Sequence, residues 1–475
     1  MRKTRPLEIL TDEQVEAIHE GTLEALENTG INIFHDRALK LLRDSGCDVT
    51  ENRVRFPSSL VEECLRKVPS SFRMKARNHE DDLRIGSNRL HFMYGAAMRI
   101  VDLETWETRP ATLKELDDAT RIADALDTVH IIPDTAPYME LVGVPPVMAY
   151  IMDIVSHLRN STKITVSGYQ SDCETFQIRI AKTVGVDMLA FIGAAAPLTF
   201  HQDSCEALFR YAAAGFPFMV VASDVMGGTG PATIAGSLVS TNAEIIGTLI
   251  LIQLTRPGTG ILASDYTMPL DMRTGHPCFG DVGASLHTVA FTQIMRKYGI
   301  PTFANSPGFA SSKKIDFQAA YERSMSTLAA ALAGVNVIVL HGSIYGEYTF
   351  HPVQAVLDDD IANWVGRLLQ GFEVDDETLA LNLIDEVGPI PGSYLGKPHT
   401  RKWWKSQQFI PQVADRLTYP EWIREGKKSA IEYAQARMDE ILRTHHVPPI
   451  PRDQDQQIEA IVKEAEKHYA ERGLL

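Results

Sequence analysis

Between residues 110 and 385 the chain alternates short, almost wholly apolar runs with longer stretches whose apolar positions recur every three or four residues. The runs are Val129–Ile132, Lys163–Ser167, Met188–Gly193, Phe216–Ala222, Gly260–Asp265, Pro301–Asn305, Asn336–His341 and Val353–Leu357. Continuous apolar runs of this length predict strands buried on both faces, and every interval but the last has room for one helix. Several runs close on small or polar residues, among them Ser167-Gly168, Ser223-Asp224, Ser264-Asp265, Asn305-Ser306 and His341-Gly342-Ser343. Repeated βα units of that count predict a (β/α)8 TIM-like barrel, whose chemistry sits where the strands end. A doubly wound open sheet is the rival. It calls for an early Gly-x-Gly-x-x-Gly after a strand, and the sequence has none.

The flanks carry a different pattern. Residues 1–110 predict a helical cap that ends in a short hairpin. Thr11 and Gln14 form a capping-box pattern, a second helix is expected near Arg37–Ser45, and a third starts at Pro57. The hairpin is expected over 90–110. Residues 386–475 are punctuated by proline and then helical. Trp403, Trp404, Tyr419 and Trp422 are expected to pack this extension onto the barrel. Ile458, Ile461, Val462, Ala465 and Tyr469 share one helical face, which predicts docking on the body or on a partner subunit. The barrel catalytic domain is thus placed at 111–385, between a cap and a C-terminal extension.

Composition narrows the class. Of 475 residues, 44% are hydrophobic and 23% charged, as in ordinary globular chains. The 46 basic and 61 acidic residues give a net charge of −15, which argues against nucleic acid as a partner. Five scattered cysteines without a Cys-x-x-Cys pair predict neither a disulfide framework nor a cysteine zinc site. The basic start leads into a charged helix rather than a signal core, and the apolar stretch Ile234–Leu254 is interrupted by Asn242, Glu244 and Gln253. It predicts a buried helix rather than a membrane span. A cytoplasmic protein is expected.

Three features bear on chemistry. The turn Met226-Gly227-Gly228-Thr229-Gly230-Pro231 lies between a strand and a helix, so it is either an anion-binding backbone loop or a tight turn. His201, Asp224, Asp265 and His341 fall near strand ends, which leaves a metal-dependent barrel hydrolase open. That reading lacks an early His-x-His and any strand-end lysine. Aromatic residues are frequent near the same ends: Tyr94, Tyr138, Phe200, Tyr266, Tyr345, Tyr348 and Phe350. Ring faces attract quaternary ammonium groups. The plain alternative is that the rings only pack the core.

The run Met226–Gly236, Asn242-Ala243-Glu244, Leu254–Gly258 and Asp271–Gly275 resembles the trimethylamine methyltransferase family, as do Gln318–Glu322 and Val356–Ile361. Gly30-Ile31, Val54–Pro57, Val68–Ser71 and the tail Trp422–Pro449 extend the resemblance over nearly the whole chain. It implies a barrel enzyme that moves a methyl group from a methylated amine to the Co(I) of a separate corrinoid protein. Trimethylamine enzymes of the family carry pyrrolysine in the barrel. Here the loop expected to hold it, Gly342–Gly346, reads Gly-Ser-Ile-Tyr-Gly. The departure points to a quaternary amine resembling glycine betaine, whose tertiary amine product leaves without needing a proton. On this resemblance His341 and Tyr345 are the expected catalytic pair. Tyr94, Tyr266, Tyr348 and Phe350 are expected around the ammonium group, and Gly227, Gly228 and Arg273 at the carboxylate. No metal ion and no tightly bound cofactor are expected, because the chain has no Asp-x-His-x-x-Gly pattern and the corrinoid (cobalamin) comes with the partner protein. A homo-oligomer is expected. A methylamine-binding barrel without turnover is the further alternative.

Overall fold

The computed structural model describes residues 4–133 and 138–475, so the first three residues of the basic start lie outside it. Eight parallel strands close into a barrel. They are β1 (His91–Tyr94), β2 (Val129–Ile132), β3 (Ile164–Ser167), β4 (Met188–Gly193), β5 (Phe218–Ala222), β6 (Ile261–Asp265), β7 (Thr302–Ala304) and β8 (Val337–His341). Each neighbours its successor, and β8 pairs with β1. The helices that follow them are α1 (Leu113–Ala125), α2 (Ala149–Asn160), α3 (Glu174–Val184), α4 (Gln202–Ala214), α5 (Ile234–Thr255), α6 (Val282–Tyr298), α7 (Phe317–Ala333) and α8 (Pro352–Gln370).

Seven of the eight predicted runs are barrel strands, and the eighth is not. Val353–Leu357 opens α8, because His351 caps its first turn through Nδ1, Pro352 stands at the first helical position, and the apolar residues 353, 356, 365 and 369 form a helical stripe. The missing strand is β1, in the segment read as a hairpin. The hairpin itself follows, with Arg99–Val101 antiparallel to Thr108–Arg109. The barrel therefore begins at His91, inside the span assigned to the cap.

Within the barrel, Met93, Val166, Leu189, Met219, Leu262, Phe303 and Val339 point inward and fill the lumen. A hairpin of Ser71–Met74 and Leu83–Gly86 adds Met74, Leu83 and Ile85 to the same cluster, plugging the N-terminal end of the barrel. The C-terminal ends face the other half of the lumen, which is where a barrel places its site.

The cap is mixed rather than helical. Helices Asp12–Glu24, Asp36–Asp44 and Ser58–Lys67 accompany a small sheet of Ile31–Ile33, Arg53–Arg55 and Asp48–Thr50, in which Ile31–Ile33 also pairs with Thr199–Phe200 from the loop after β4. It lies across α5, with Ile31, Phe56, Leu60, Val61 and Cys64 in one cluster with Ile245, Ile246 and Leu249. This explains why α5 is apolar on every side. It is long and apolar enough to cross a membrane, yet it is covered by the barrel on one side and by the cap on the other. The approach is close at Gly247, where a Cβ would stand 2.2 Å from Ile31 Cδ1 and the isoleucine would have to shift.

In the C-terminal extension, helix Arg452–Glu471 buries Ile458, Ile461, Val462, Ala465 and Tyr469 on the body, against α3. Arg179 meets Glu464 in two bonds of 2.8 and 2.7 Å, and Tyr469 donates to the Ser171 carbonyl. The expected aromatic clamp does not form: Tyr419 is 72% exposed and Trp404 40%.

Two acids are buried at the foot of this packing. Glu244 on α5 accepts one bond, from the Leu198 amide at 2.7 Å, and desolvation with Asp224 nearby pushes its carboxyl up to about 8. Desolvation likewise lifts Asp224 to about 6. Acids with raised pKa hold protons in the folded state that the unfolded chain has released. Their contribution is present below the ordinary carboxylate range and is lost as pH rises toward 8. The melting temperature is therefore expected to fall between pH 5 and pH 8.5. Glu244→Gln should flatten that slope and add ~2 kcal/mol or more at pH 8.5. Differential scanning calorimetry across the range measures both, and an unchanged slope in the variant would contradict the assignment.

Candidate functional site

A cavity of about 230 Å³ occupies the C-terminal half of the barrel lumen. Its floor is Met93, Val166, Met219, Phe303 and Val339 from the inward faces of the strands. Its walls are Phe191, Phe309, Tyr150, Met98 and Met139, with Pro133, Gly168 and Asn305 just past the ends of β2, β3 and β7. Tyr266, just past β6, stands against Phe309 with ring centroids 5.5 Å apart. Among the described lining residues the one charged side chain is Glu347, from the loop after β8.

Glu347 and Tyr266 lie close enough to interact electrostatically. Desolvation raises the Glu347 carboxyl, and desolvation with the Glu347 charge nearby lifts the Tyr266 phenol. Glu347 is exposed where it lines the cavity, and Tyr266 is half-buried.

The loop that carries Glu347 is held by a buried ion pair. Arg323 on α7 meets Asp358 on α8 through Nε–Oδ1 at 2.8 Å and Nη2–Oδ2 at 2.6 Å, both side chains fully buried. The remaining guanidinium hydrogens go to the carbonyls of Gly308, Ser343 and Leu340, and Asp358 also accepts from the Gly342 amide and Gln354. The loops after β7 and β8 are thus tied to one charge pair. Further bonds join Ser343 Oγ to the Ala96 carbonyl and the Gly346 amide to the Ala310 carbonyl, while the Met98 amide binds the Glu347 carbonyl at 2.8 Å. At Gly342, φ is +99° and a Cβ would stand 2.1 Å from the Phe350 ring, so the turn out of β8 requires glycine.

Of the residues expected at the site, the structure brings Tyr266 to the cavity and Tyr94 to its edge. The Tyr94 ring points outward, where its hydroxyl donates to the Ala119 carbonyl on α1. Phe350 packs against Tyr94 and Tyr138 in the layer between strands and helices, and is fully buried there. His341 also lies outside the lumen. Its Nε2 is 2.8 Å from Thr128 Oγ1, which itself binds Asp359, and burial with Arg323 nearby keeps the imidazole neutral by holding its pKa well below the usual value. Tyr345 is separated from the cavity by Phe309 and Phe279, and Lys313 sits over its ring at 4.5 Å. Tyr348 is exposed beside Thr108. Arg273 is 89% exposed and paired with Asp271 within one surface turn. Gly227 and Gly228 form an exposed turn whose amides bind the Gly230 and Val225 carbonyls, so it is a tight turn rather than an anion loop.

The sequence reading missed Glu347, Phe191, Phe303, Phe309 and the four methionines. Glu347 had a signal: it is the sole charge in Ser343–Phe350, between Gly346 and Tyr348. Among the described residues, no three His, Cys, Asp or Glu side chains come together as a metal site would need. The cavity can take a small cation that presents methyl groups to rings and thioethers and its charge to one carboxylate.

A family profile described as trimethylamine methyltransferase (MTTB) matches residues 1–470. The glycine betaine methyltransferase of Desulfitobacterium hafniense (strain Y51) is 30% identical over 475 residues, covering 98% of each chain. The trimethylamine methyltransferase MttB of Methanosarcina barkeri is 27% identical, covering 98% of this chain and 96% of its own. Among solved structures, the monomethylamine methyltransferase MtmB of Methanosarcina barkeri superposes with a TM-score of 0.51 at 12% identity, over 91% of this chain and 88% of that one, which shows the shared fold.

Asp358→Asn leaves the Arg323 charge buried without its partner, and Phe350→Ala opens a cavity in the helix layer. Each is expected to lower the unfolding free energy by ~3–5 kcal/mol, whereas Tyr348→Ala on the surface should change it by less than ~0.5 kcal/mol. Denaturant titration of the three variants checks this. Equal stability of Phe350→Ala and wild type would put that ring elsewhere.

Proposed function

The chain belongs to the trimethylamine methyltransferase family and is a methyltransferase, and from that premise we propose that it demethylates a small quaternary amine and passes the methyl group to the Co(I) of a separate corrinoid protein. The observation that carries this reading is the cavity: aromatic and thioether walls around one desolvated carboxylate, at the open end of the barrel. A quaternary ammonium group suits both parts of it, since its methyls are apolar and its charge is permanent.

The corrinoid supplies a nucleophilic metal that accepts the methyl cation equivalent. The chain's own residues bind the ammonium, hold one methyl toward the mouth, and keep water out. The C–N bond breaks with its electron pair going to nitrogen, and a neutral tertiary amine remains. No general acid is required. A tertiary amine donor would need activation, and the loop after β8 carries only standard residues.

A rim surface supports a docking partner. Phe317, Tyr321 and Met325 on α7 are 83%, 48% and 67% exposed, and Met272 and Val282 beside α6 are 78% and 70% exposed. They adjoin the cavity wall through Gly280, packed on Glu322, and through Phe279, packed on Phe309. This apolar face is where we read the corrinoid protein as seating. The exposed Phe372, Leu381, Ile390 and Leu395 of the C-terminal extension are available to a second copy of the chain. The described cysteines are all free thiols, and we read the enzyme as cytoplasmic.

The deciding assay follows consumption of Co(I) cobalamin by absorbance with a panel of quaternary amines and trimethylamine. Turnover of at least one quaternary amine is expected, and turnover of trimethylamine alone would overturn the proposal. For the partner, the double change Phe317→Asp with Tyr321→Asp is expected to slow transfer to the corrinoid protein by ~10-fold or more while leaving transfer to free cobalamin unchanged. Equal rates with the corrinoid protein would place docking on another face.

A further inference from the structure

We infer that Glu347 is the counter-ion of the bound ammonium group, and that the cavity selects quaternary ammonium cations with no carboxylate near the nitrogen, such as tetramethylammonium or choline. The inference rests on reading this cavity as the methyl-donor site, and it narrows the substrate class there.

The charge inventory carries the argument. Among the described lining residues there is no Arg, Lys or His, and the one charge is the Glu347 carboxylate. The cationic and amide groups that might have met a substrate carboxylate are engaged elsewhere. Arg273 is locked to Asp271 in an exposed turn. The amides of Gly227, Gly228, Thr229 and Gly230 all bind carbonyls within their own turn. Lys163 gives its ammonium to the Ala123 and Leu126 carbonyls outside the lumen, and Lys313 lies over Tyr345 beyond two intervening rings.

Within about 230 Å³ a betaine cannot keep its carboxylate far from Glu347. Two like charges a few ångströms apart repel strongly enough to weaken binding by ~10-fold or more. A cation without that carboxylate meets only attraction. Tyr266 lies close to Glu347, and Phe309 packs against Tyr266 with ring centroids 5.5 Å apart, so the carboxylate and the rings converge on one place. The neutral polar group on the wall, Asn305, suits a hydroxyl as well as a bare methyl.

The test is isothermal titration of the full-length protein with tetramethylammonium, choline and glycine betaine, run in parallel on wild type and Glu347→Gln. Wild type is expected to bind the two cations at least ~10-fold more tightly than glycine betaine. Glu347→Gln, which keeps the size, should weaken the cations by ~10-fold and narrow the gap. Glycine betaine binding as tightly as choline, no binding of either cation, or an unchanged ratio in a folded Glu347→Gln protein would each overturn the inference. If the variant does not fold, the wild-type ratio decides alone. Cation-selective binding without any methyl transfer would sink the proposed reaction and leave this inference standing. Transfer from glycine betaine with no cation preference would do the reverse.

Discussion

The site depends on one charge pair that never touches it. Arg323 and Asp358 are both fully buried, so their desolvation must be offset by their own contacts. The arrangement does this completely: two bonds between them, three backbone carbonyls for the remaining guanidinium hydrogens, and an amide and Gln354 for the carboxylate. Every carbonyl and amide involved belongs to the loops after β7 and β8 or to the end of β8. Phe309 and Glu347 sit on those loops. Rigidity at the open end of the barrel therefore comes from the helix layer behind it, and the two helices that supply the pair are the ones that enclose β8.

How far the sequence was legible turns on direction. Alternation along β1 places Met93 inward, with Phe92 and Tyr94 outward, and the structure agrees. That period was readable from His91–Tyr94 but was obscured by reading the segment as a hairpin. His341 was not readable in the same way. Val337 and Val339 point inward, so strict alternation sends His341 into the lumen. The pairing of β8 with β1 shifts between Val339 and His341, which turns the ring outward to Thr128. A bulge is set by the partner strand, and no local pattern announces it. The aromatic loop Tyr345–Phe350 misled for a related reason: a loop has no period, and three rings within six residues face three different neighbours.

The barrel itself was legible because its strands are apolar on both faces, and α5 because its polar residues interrupt an otherwise continuous run. Glu244, one of those interruptions, is a buried acid with one backbone partner, a cost the fold carries where the cap meets the barrel. The extent of the cap was less legible. One of its three-residue strands, Ile31–Ile33, is completed by Thr199–Phe200, well over a hundred residues away, and short strands of that kind leave little trace in sequence.

Under the proposed reaction the charge of the site changes sign of need during turnover. The substrate is a cation and the departing amine is neutral, while Glu347 stays in place. A carboxylate that attracts the cation in the ground state stabilises the substrate more than the transition state, in which positive charge is already draining from nitrogen. Strong pairing would then slow the chemical step. The structure limits that strength: desolvation raises the Glu347 carboxyl, which disfavours its anion. Once the methyl has left, the carboxylate faces a neutral amine in an apolar cavity, which is the state desolvation penalises most. Proton uptake or entry of the next cation relieves it, and either one favours loss of the product. A single desolvated acid can thus choose the substrate and help expel the product without joining the bond-breaking step.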